Sequence, residues 1–274
     1  MYGIYLTVYQ IRYHGAFVKT RRNVTPPSRP TRIDLLWRSA ESGNRGPKRG
    51  LTIPGIAKAG IEIADRDGLA GLTMQRVAHR LGVTTMALYR YVPGKAELIE
   101  IMLDAVVEGA PEVALVRGGW RPKLELWTRK NIALYPRHPW LLEVPITGPP
   151  IGPNRLEWLE AGLSALAEVD LTGSEMVAVV LLLDGFARGA AQLAVGAAKA
   201  ARHPGSTRDD WGAAFARVIE PLIDPTRFPT LSSLLGSGTF DARRRRPDHD
   251  PIEFGLGRVM DGIATLIRKR AKAS

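Results

Sequence analysis

The sequence of 274 residues predicts an all-α fold in two parts, a short helix-turn-helix unit and a larger helical domain. Three observations carry that expectation. Apolar residues recur at steps of three and four from Leu51 onward, with threonines before the helix starts and glycines at the ends. No stretch of any length alternates apolar and polar residues as a strand would. The segment 175–198 is apolar nearly all round, so a helix there must be buried, within a chain or between chains.

The elements follow in chain order. Residues 1–50 hold little that could form a core. Pro26, Pro27, Pro30 and Pro47 break helices, and only a short apolar turn is expected at Leu35-Leu36-Trp37. This segment reads as a disordered arm. An alternative stays open for the first 23 or so residues: they are not native sequence, and Val24 is the initiator. Residues 51–109 form a compact helical unit. Thr52 caps a first helix carrying Ile53, Ile56, Ala57, Gly60, Ile63 and Ala64, and Gly68 ends it. Thr73 caps a second helix with Val77, Ala78 and Leu81 inside, stopped by Gly82. Thr84 caps a third, running to about Val92 before Pro93-Gly94. A fourth begins near Lys95 and carries Leu98, Ile101, Met102 and Ala105.

Residues 110–274 form the larger domain. Trp120, Leu124, Trp127, Asn131 and Tyr135 share one helical face. A proline-rich connection holds the short piece Trp140-Leu141-Leu142. Helices are expected at 156–167, 175–198, 209–219 and 252–270, with Arg243–Arg246 in a solvated loop.

The composition excludes several classes. Cysteine is absent, which removes disulfides, thiolate zinc sites and cysteine nucleophiles and suits a reducing cytoplasm. The five histidines are scattered, and no pair has ligand spacing, so no metal or cofactor is expected. The longest purely apolar run, Met176–Leu183, is far short of the ~20 residues of a membrane span, and none is expected. The N-terminus lacks a basic region ahead of an apolar one, so no signal peptide is expected. Phosphate-loop, nucleophile-elbow and zinc-protease signatures are missing, and an enzyme is not expected. Lysine and arginine number 38 against 27 acidic residues, a net charge of +11. Eight of those net charges fall in residues 1–50. A basic arm beside a balanced body points to a polyanionic partner.

The chemistry lies in residues 72–95. Two short helices joined at a glycine turn form a helix-turn-helix, whose second helix enters the DNA major groove. Its first turn offers Thr84, Thr85, Met86 and Ala87. Hydroxyls can bond bases or phosphates, and an alanine can touch a thymine methyl. Thr73 and Thr84 mark helix N-termini that favour a phosphate. Tyr89, Tyr91 and Lys95 can reach the sugar-phosphate backbone, setting register rather than sequence. Gln75 can pair with adenine. Val77, Leu81, Val83, Leu88 and Val92 read as core, and His79 as a solvated residue.

The stretch Leu51–Ala105 resembles the TetR family of bacterial transcriptional regulators, most closely over Gly68–Leu98 with its glycine-leucine-threonine opening, leucine-glycine-valine core, tyrosine pair and lysine. The resemblance implies phosphate contacts from Thr73 and Lys95, backbone contacts from Tyr89 and Tyr91, and base contacts from Thr85, Met86 and Ala87. A looser likeness to the tetracycline-repressor C-terminal domain rests on Trp120-Arg121, Arg137-His138-Pro139-Trp140, Asp184-Gly185-Phe186 and Phe254-Gly255-Leu256. It implies a homodimer through helices near 175–198 and 252–270, and a pocket for a small-molecule effector. Trp127, Asn131 and Tyr135, with Trp158 and Phe186, are the candidates for that pocket; plain core is the other reading of the same stripe. The expected whole is a cytoplasmic, ligand-responsive repressor that binds a palindromic operator in double-stranded DNA. One rival is an architectural protein binding DNA through its basic arm without sequence choice. Another is a helical enzyme or sequestering protein with an idle DNA module.

Overall fold

The computed structural model describes residues 32–41, 51–107, 109–146, 148–200, 210–241 and 250–272. Most of the basic arm and the Arg243–Arg246 run lie outside them. Eleven α-helices are present among the described residues, with no strand.

The first, α1 (Arg32–Glu41), departs from expectation. In place of a short apolar turn, a helix of ten residues forms, with Leu35 and Leu36 buried. The neighbouring Ile33 and Trp37 stay exposed, and helices from elsewhere in the chain supply the partners of the buried pair. Next come α2 (Ile53–Gly71), α3 (Met74–Arg80), α4 (Thr85–Tyr89) and α5 (Lys95–Ala105). The three expected threonine caps form. The hydroxyl of Thr52 accepts from Gly55 N, that of Thr73 from Arg76 N and that of Thr84 from Ala87 N, each at 3.2 Å. At Gly68 the backbone leaves helical geometry with φ 70°, and a short turn carries α2 on to Gly71. The third expected helix ends three residues early. Arg90 and Tyr91 leave α4 as a tight turn, and buried Val92 anchors the chain just beyond it.

The larger domain begins with a 3₁₀ turn (Val113–Leu115) and α6 (Trp120–Arg137). A 3₁₀ segment, Pro139–Glu143, stands at the position of the short tryptophan-leucine piece. Then come α7 (Pro153–Ser164), α8 (Gly173–Ala200), α9 (Asp210–Ile219), α10 (Pro229–Gly236) and α11 (Pro251–Ala271). Helix α10 is not among the expected helices; its sequence cue is Pro229, at the first helical position. Helix α8 starts at a capping box. Thr172 Oγ1 accepts from Glu175 N at 3.3 Å, and Glu175 Oε2 accepts from Thr172 N at 2.9 Å.

Among the described residues two apolar cores form. The first gathers Leu35, Leu36, Ile56, Ile63, Leu72, Val77, Leu88, Val92, Leu98 and Met102, and takes in Tyr135, Trp140, Leu141 and Ala191. The second joins Leu124, Trp127, Trp158, Leu166, Val180, Leu183, Leu256 and Met260. The first core is therefore closed by side chains from α6, the 3₁₀ segment and α8.

Helix α8 is amphipathic in a way its composition hides. Val179, Val180, Leu183, Ala187 and Ala191 are buried, while Val177, Leu181, Leu182 and Leu193 are exposed. Its segment Gly173–Gly196 is long and apolar enough to cross a membrane by length and composition, although no such span was expected. The expectation counted only uninterrupted apolar runs. Beyond Glu175 in its first turn, the segment holds two charged residues, and both are tied to the protein. Asp184 accepts from Asn131, and Arg188 donates to three backbone carbonyls.

Candidate nucleic-acid interface

Helix α4 has only five residues, too few to stand alone. It is held from below by Leu88 and Val92, both fully buried. It is held at its start by the Thr84 cap and by the turn before it. Gly82 adopts φ 67°, which a side chain would strain, and Val83 N then bonds back to Ala78 O at 3.0 Å. Local caps, one glycine and two core anchors thus project a short helix into solvent.

Its outward face carries the residues that the sequence singles out. Met86 is 73% exposed, and Thr84, Tyr89 and Tyr91 are exposed beside it, with Thr85 and Ala87 half-buried. Thr73 and Gln75 are exposed at the start of α3 and Lys95 at the start of α5. All nine therefore reach the surface of one unit, α3–α5.

The charges there are mostly spent inside the protein. Arg76 donates to Gly71 O at 2.7 Å and pairs with Asp67. Arg66 and Arg76 hold the Asp67 carboxyl down at about 2. Arg80 bonds Glu62 at 2.6 Å. Lys95 Nζ donates to Leu69 O at 2.9 Å, so it closes the end of α2 as well as opening α5. Arg90 is exposed between the two tyrosines and makes no ion pair among the described residues. It is absent from the residues selected on sequence; a guanidinium flanked by Tyr89 and Tyr91 was the available signal.

The five pocket candidates separate into three places. Trp127 and Trp158 meet edge to face, with centroids 6.3 Å apart. Both indole N–H groups are used inside the chain: Trp127 donates to Trp158 O at 2.8 Å and Trp158 to Val107 O at 2.6 Å. Asn131 and Tyr135 turn toward α8, where Asn131 Nδ2 donates to Asp184 Oδ1 at 2.9 Å. Phe186 packs toward Gly255 of α11, where an added Cβ would lie 2.8 Å from its ring. A groove of about 380 Å³ lies elsewhere, lined by Trp37 of α1 and by Pro153, Leu156, Glu157, Leu159, Glu160 and Leu163. None of the five candidates lines it. Among the described residues, no group of three or more His, Asp or Glu is placed to hold a metal ion.

Burial and the nearby Asp184 carboxylate push the Tyr135 hydroxyl up to about 12. The folded state holds this proton more tightly than the unfolded chain does. The stabilisation is complete below pH ~10 and is lost as pH rises toward ~12, about 2–3 kcal/mol in all. Urea unfolding at pH 9 and at pH 11.5, compared with Tyr135→Phe, should show the wild type losing more of its stability over that interval. Equal losses would place the phenol in contact with water.

An exposed five-residue helix, set on a glycine turn over a shared core, defines a helix-turn-helix DNA-binding unit joined to a helical body. Comparisons with known proteins agree. The family model "Bacterial regulatory proteins, tetR family" matches residues 56–102. That for the "Tetracyclin repressor-like, C-terminal domain" matches residues 111–267. The HTH-type transcriptional repressor DrrR1 of Streptomyces coeruleorubidus is 40% identical over 239 residues, 87% of this chain and 86% of its own. Apo ActR from Streptomyces coelicolor shares the fold with a TM-score of 0.63 at 24% identity, over 83% of this chain and all of its own. ActR in complex with actinorhodin gives 0.64, over 80% of this chain and 98% of its own, also at 24% identity. The chain belongs to the tetR family of bacterial regulatory proteins. It is a DNA-binding transcriptional regulator, and the architectural reading is not favoured.

Proposed function

We propose that the protein is a cytoplasmic repressor that binds a palindromic operator as a homodimer and releases it when a small molecule binds the helical body. The observation that carries this reading is the outward face of α4, with Met86 at its tip and Thr85 and Ala87 beside it. Thr85, Met86, Ala87 and Gln75 read base edges. Thr73, Thr84, Tyr89, Tyr91 and Lys95 hold the backbone, and Arg90 joins them on a phosphate. Residues 51–109 act as the reading unit and 110–274 as the sensing and pairing one.

The dimer reading is supported by the exposed apolar face of α8. A second copy of this face would cover Val177, Leu181, Leu182 and Leu193, and Gly185 and Gly189 leave open space for close helix approach. Helix α11, with Phe254 exposed, would complete a four-helix contact. The effector reading is supported by the actinorhodin complex of ActR, a protein of the same fold. Effector binding shifts the dimer only by its differential affinity for two states. The relatives matched are transcriptional regulators, and no catalytic role is proposed.

Selection of bound sequences from random DNA with the purified full chain tests the reading. A two-fold symmetric site should be enriched, and replacing Thr85 and Met86 together should change the enriched half-site. Removing one base-reading side chain should cost about 1–3 kcal/mol of discrimination. A uniform loss of affinity with the half-site unchanged would move base reading away from α4. Enrichment of no symmetric site would defeat the operator reading.

A further inference from the structure

We propose that Asp65 and Arg188 are positioning residues for operator recognition: through the segment Pro139–Glu143 they close a clasp that sets the angle of the DNA-reading unit, and hence the half-site spacing the dimer accepts. This rests on the palindromic-dimer reading.

Asp65 lies on α2, outside the helix-turn-helix itself. A single oxygen of its carboxylate meets two groups from the 3₁₀ segment and its entry. The indole N–H of Trp140 donates to Oδ1 at 2.8 Å, and Nδ1 of His138 lies 2.8 Å from the same atom. Trp140 is 1% exposed and sits in the core that also holds Ile56, Leu88 and Leu98. The two rings stand edge to face, 6.4 Å apart.

From the other side the same segment is gripped by α8. The guanidinium of Arg188 donates to Leu141 O at 3.2 Å, to Leu142 O at 2.9 Å and to Val144 O at 2.9 Å. The last carbonyls of a short 3₁₀ segment have no partner of their own. The planar, fixed fork of donors of a guanidinium meets all three. On the same helix Asp184, four residues before Arg188, accepts from Asn131 of α6. One short segment is thus hydrogen-bonded on one side to α2 and on the other to α8, the helix proposed to face the partner subunit.

Among the described residues the reading unit is also bound to the body away from this segment. At the end of α5, Asp104 accepts from Arg155 N at 3.0 Å and Asn154 N at 3.4 Å, capping α7 from outside. The α5–α7 hold lies at the far end of α5; the clasp holds α2, so the two act on different helices of the unit and together fix its direction. In a two-fold dimer, the direction of each unit decides where its recognition helix meets the groove. One base pair of spacing moves a half-site by roughly 3.4 Å and also turns it around the duplex.

The test uses the full chain on duplexes carrying the selected half-sites, with the spacer lengthened or shortened one base pair at a time. The wild type should lose at least tenfold in affinity for each step away from its optimum. Asp65→Ala and Arg188→Met should flatten that profile to within about threefold while enriching the same half-site sequence. Their combination should be no flatter than the stronger single variant, because they act on one clasp. His138→Ala, at a half-buried position, should flatten it in the same sense and serves if a core-adjacent variant loses its helical circular dichroism. A sharp profile retained by folded variants, or an additive double variant, overturns the clasp. A wild type that enriches no symmetric site defeats the dimeric operator instead.

Discussion

Leu181→Asp should abolish operator binding by splitting the dimer, with no loss of fold within the subunit. Leu181 is 58% exposed in the single chain, so the carboxylate meets water there and costs the subunit little. In the proposed dimer the same position is covered by the partner. Two-fold symmetry brings the substitution in twice, once from each copy. Burying an unpaired carboxylate costs several kcal/mol, and dimerisation should weaken on the order of 100-fold or more. Leu181→Ala only removes apolar area and should weaken it about tenfold. Analytical ultracentrifugation gives the association constant, and circular dichroism the helicity of the monomer. A Leu181→Asp chain that stays dimeric would move the partner surface to another face. One that unfolds would mean that α8 is needed inside the subunit at that position.

The second large effect is expected at Trp127. Its indole is 3% exposed, lies edge to face with Trp158 and donates to a backbone carbonyl of α7. Trp127→Ala opens a cavity where α6, α7 and α8 meet, at a cost of about 3–5 kcal/mol. For a domain of this size the melting temperature should fall by roughly 10 °C. Trp127→Phe keeps most of the volume and loses the N–H, and should cost about 1 kcal/mol. The same pair of variants separates two roles for this residue. A wall of an effector pocket could be removed with little change in melting temperature, leaving the operator-bound protein deaf to the effector. A large fall in melting temperature marks Trp127 as a core strut. The effector would then enter beside the Asn131–Asp184 pair or along the groove at Trp37.

Legibility followed distance along the chain. The helix-turn-helix could be read because its determinants are local. Thr52, Thr73 and Thr84 each cap a backbone N–H three residues on, and Gly82 turns the chain alone. Helix α1 could not be read. Ile33, Leu36 and Trp37 stand at helical spacing over barely two turns, but the buried pair is Leu35 and Leu36, and the core they enter is built from residues beyond position 50. Helix α1 and the reading unit are therefore continuous in packing across the boundary that composition suggests at Leu51. The pocket candidates were found as a stripe on one helix. A stripe of Trp127, Asn131 and Tyr135 looks the same whether it faces a ligand or another helix.

The charged residues show the same division. Arg76 and Arg80 stand on the first helix of the helix-turn-helix, and both are paired with α2 carboxylates. Lys95 looks like a phosphate contact and also closes α2 through Leu69 O. Local sequence was enough for the all-α class, the three threonine-capped helices, the glycine turn and the face that α4 shows to solvent. Each depends on residues within a few positions of one another. Packing settled the rest: which cations are spent, which face of α8 stays open, and that Asp65 and Arg188 grip one segment from opposite sides. Those residues stand 123 positions apart, and which helices cross is set by the summed burial of both cores, a quantity no local pattern contains.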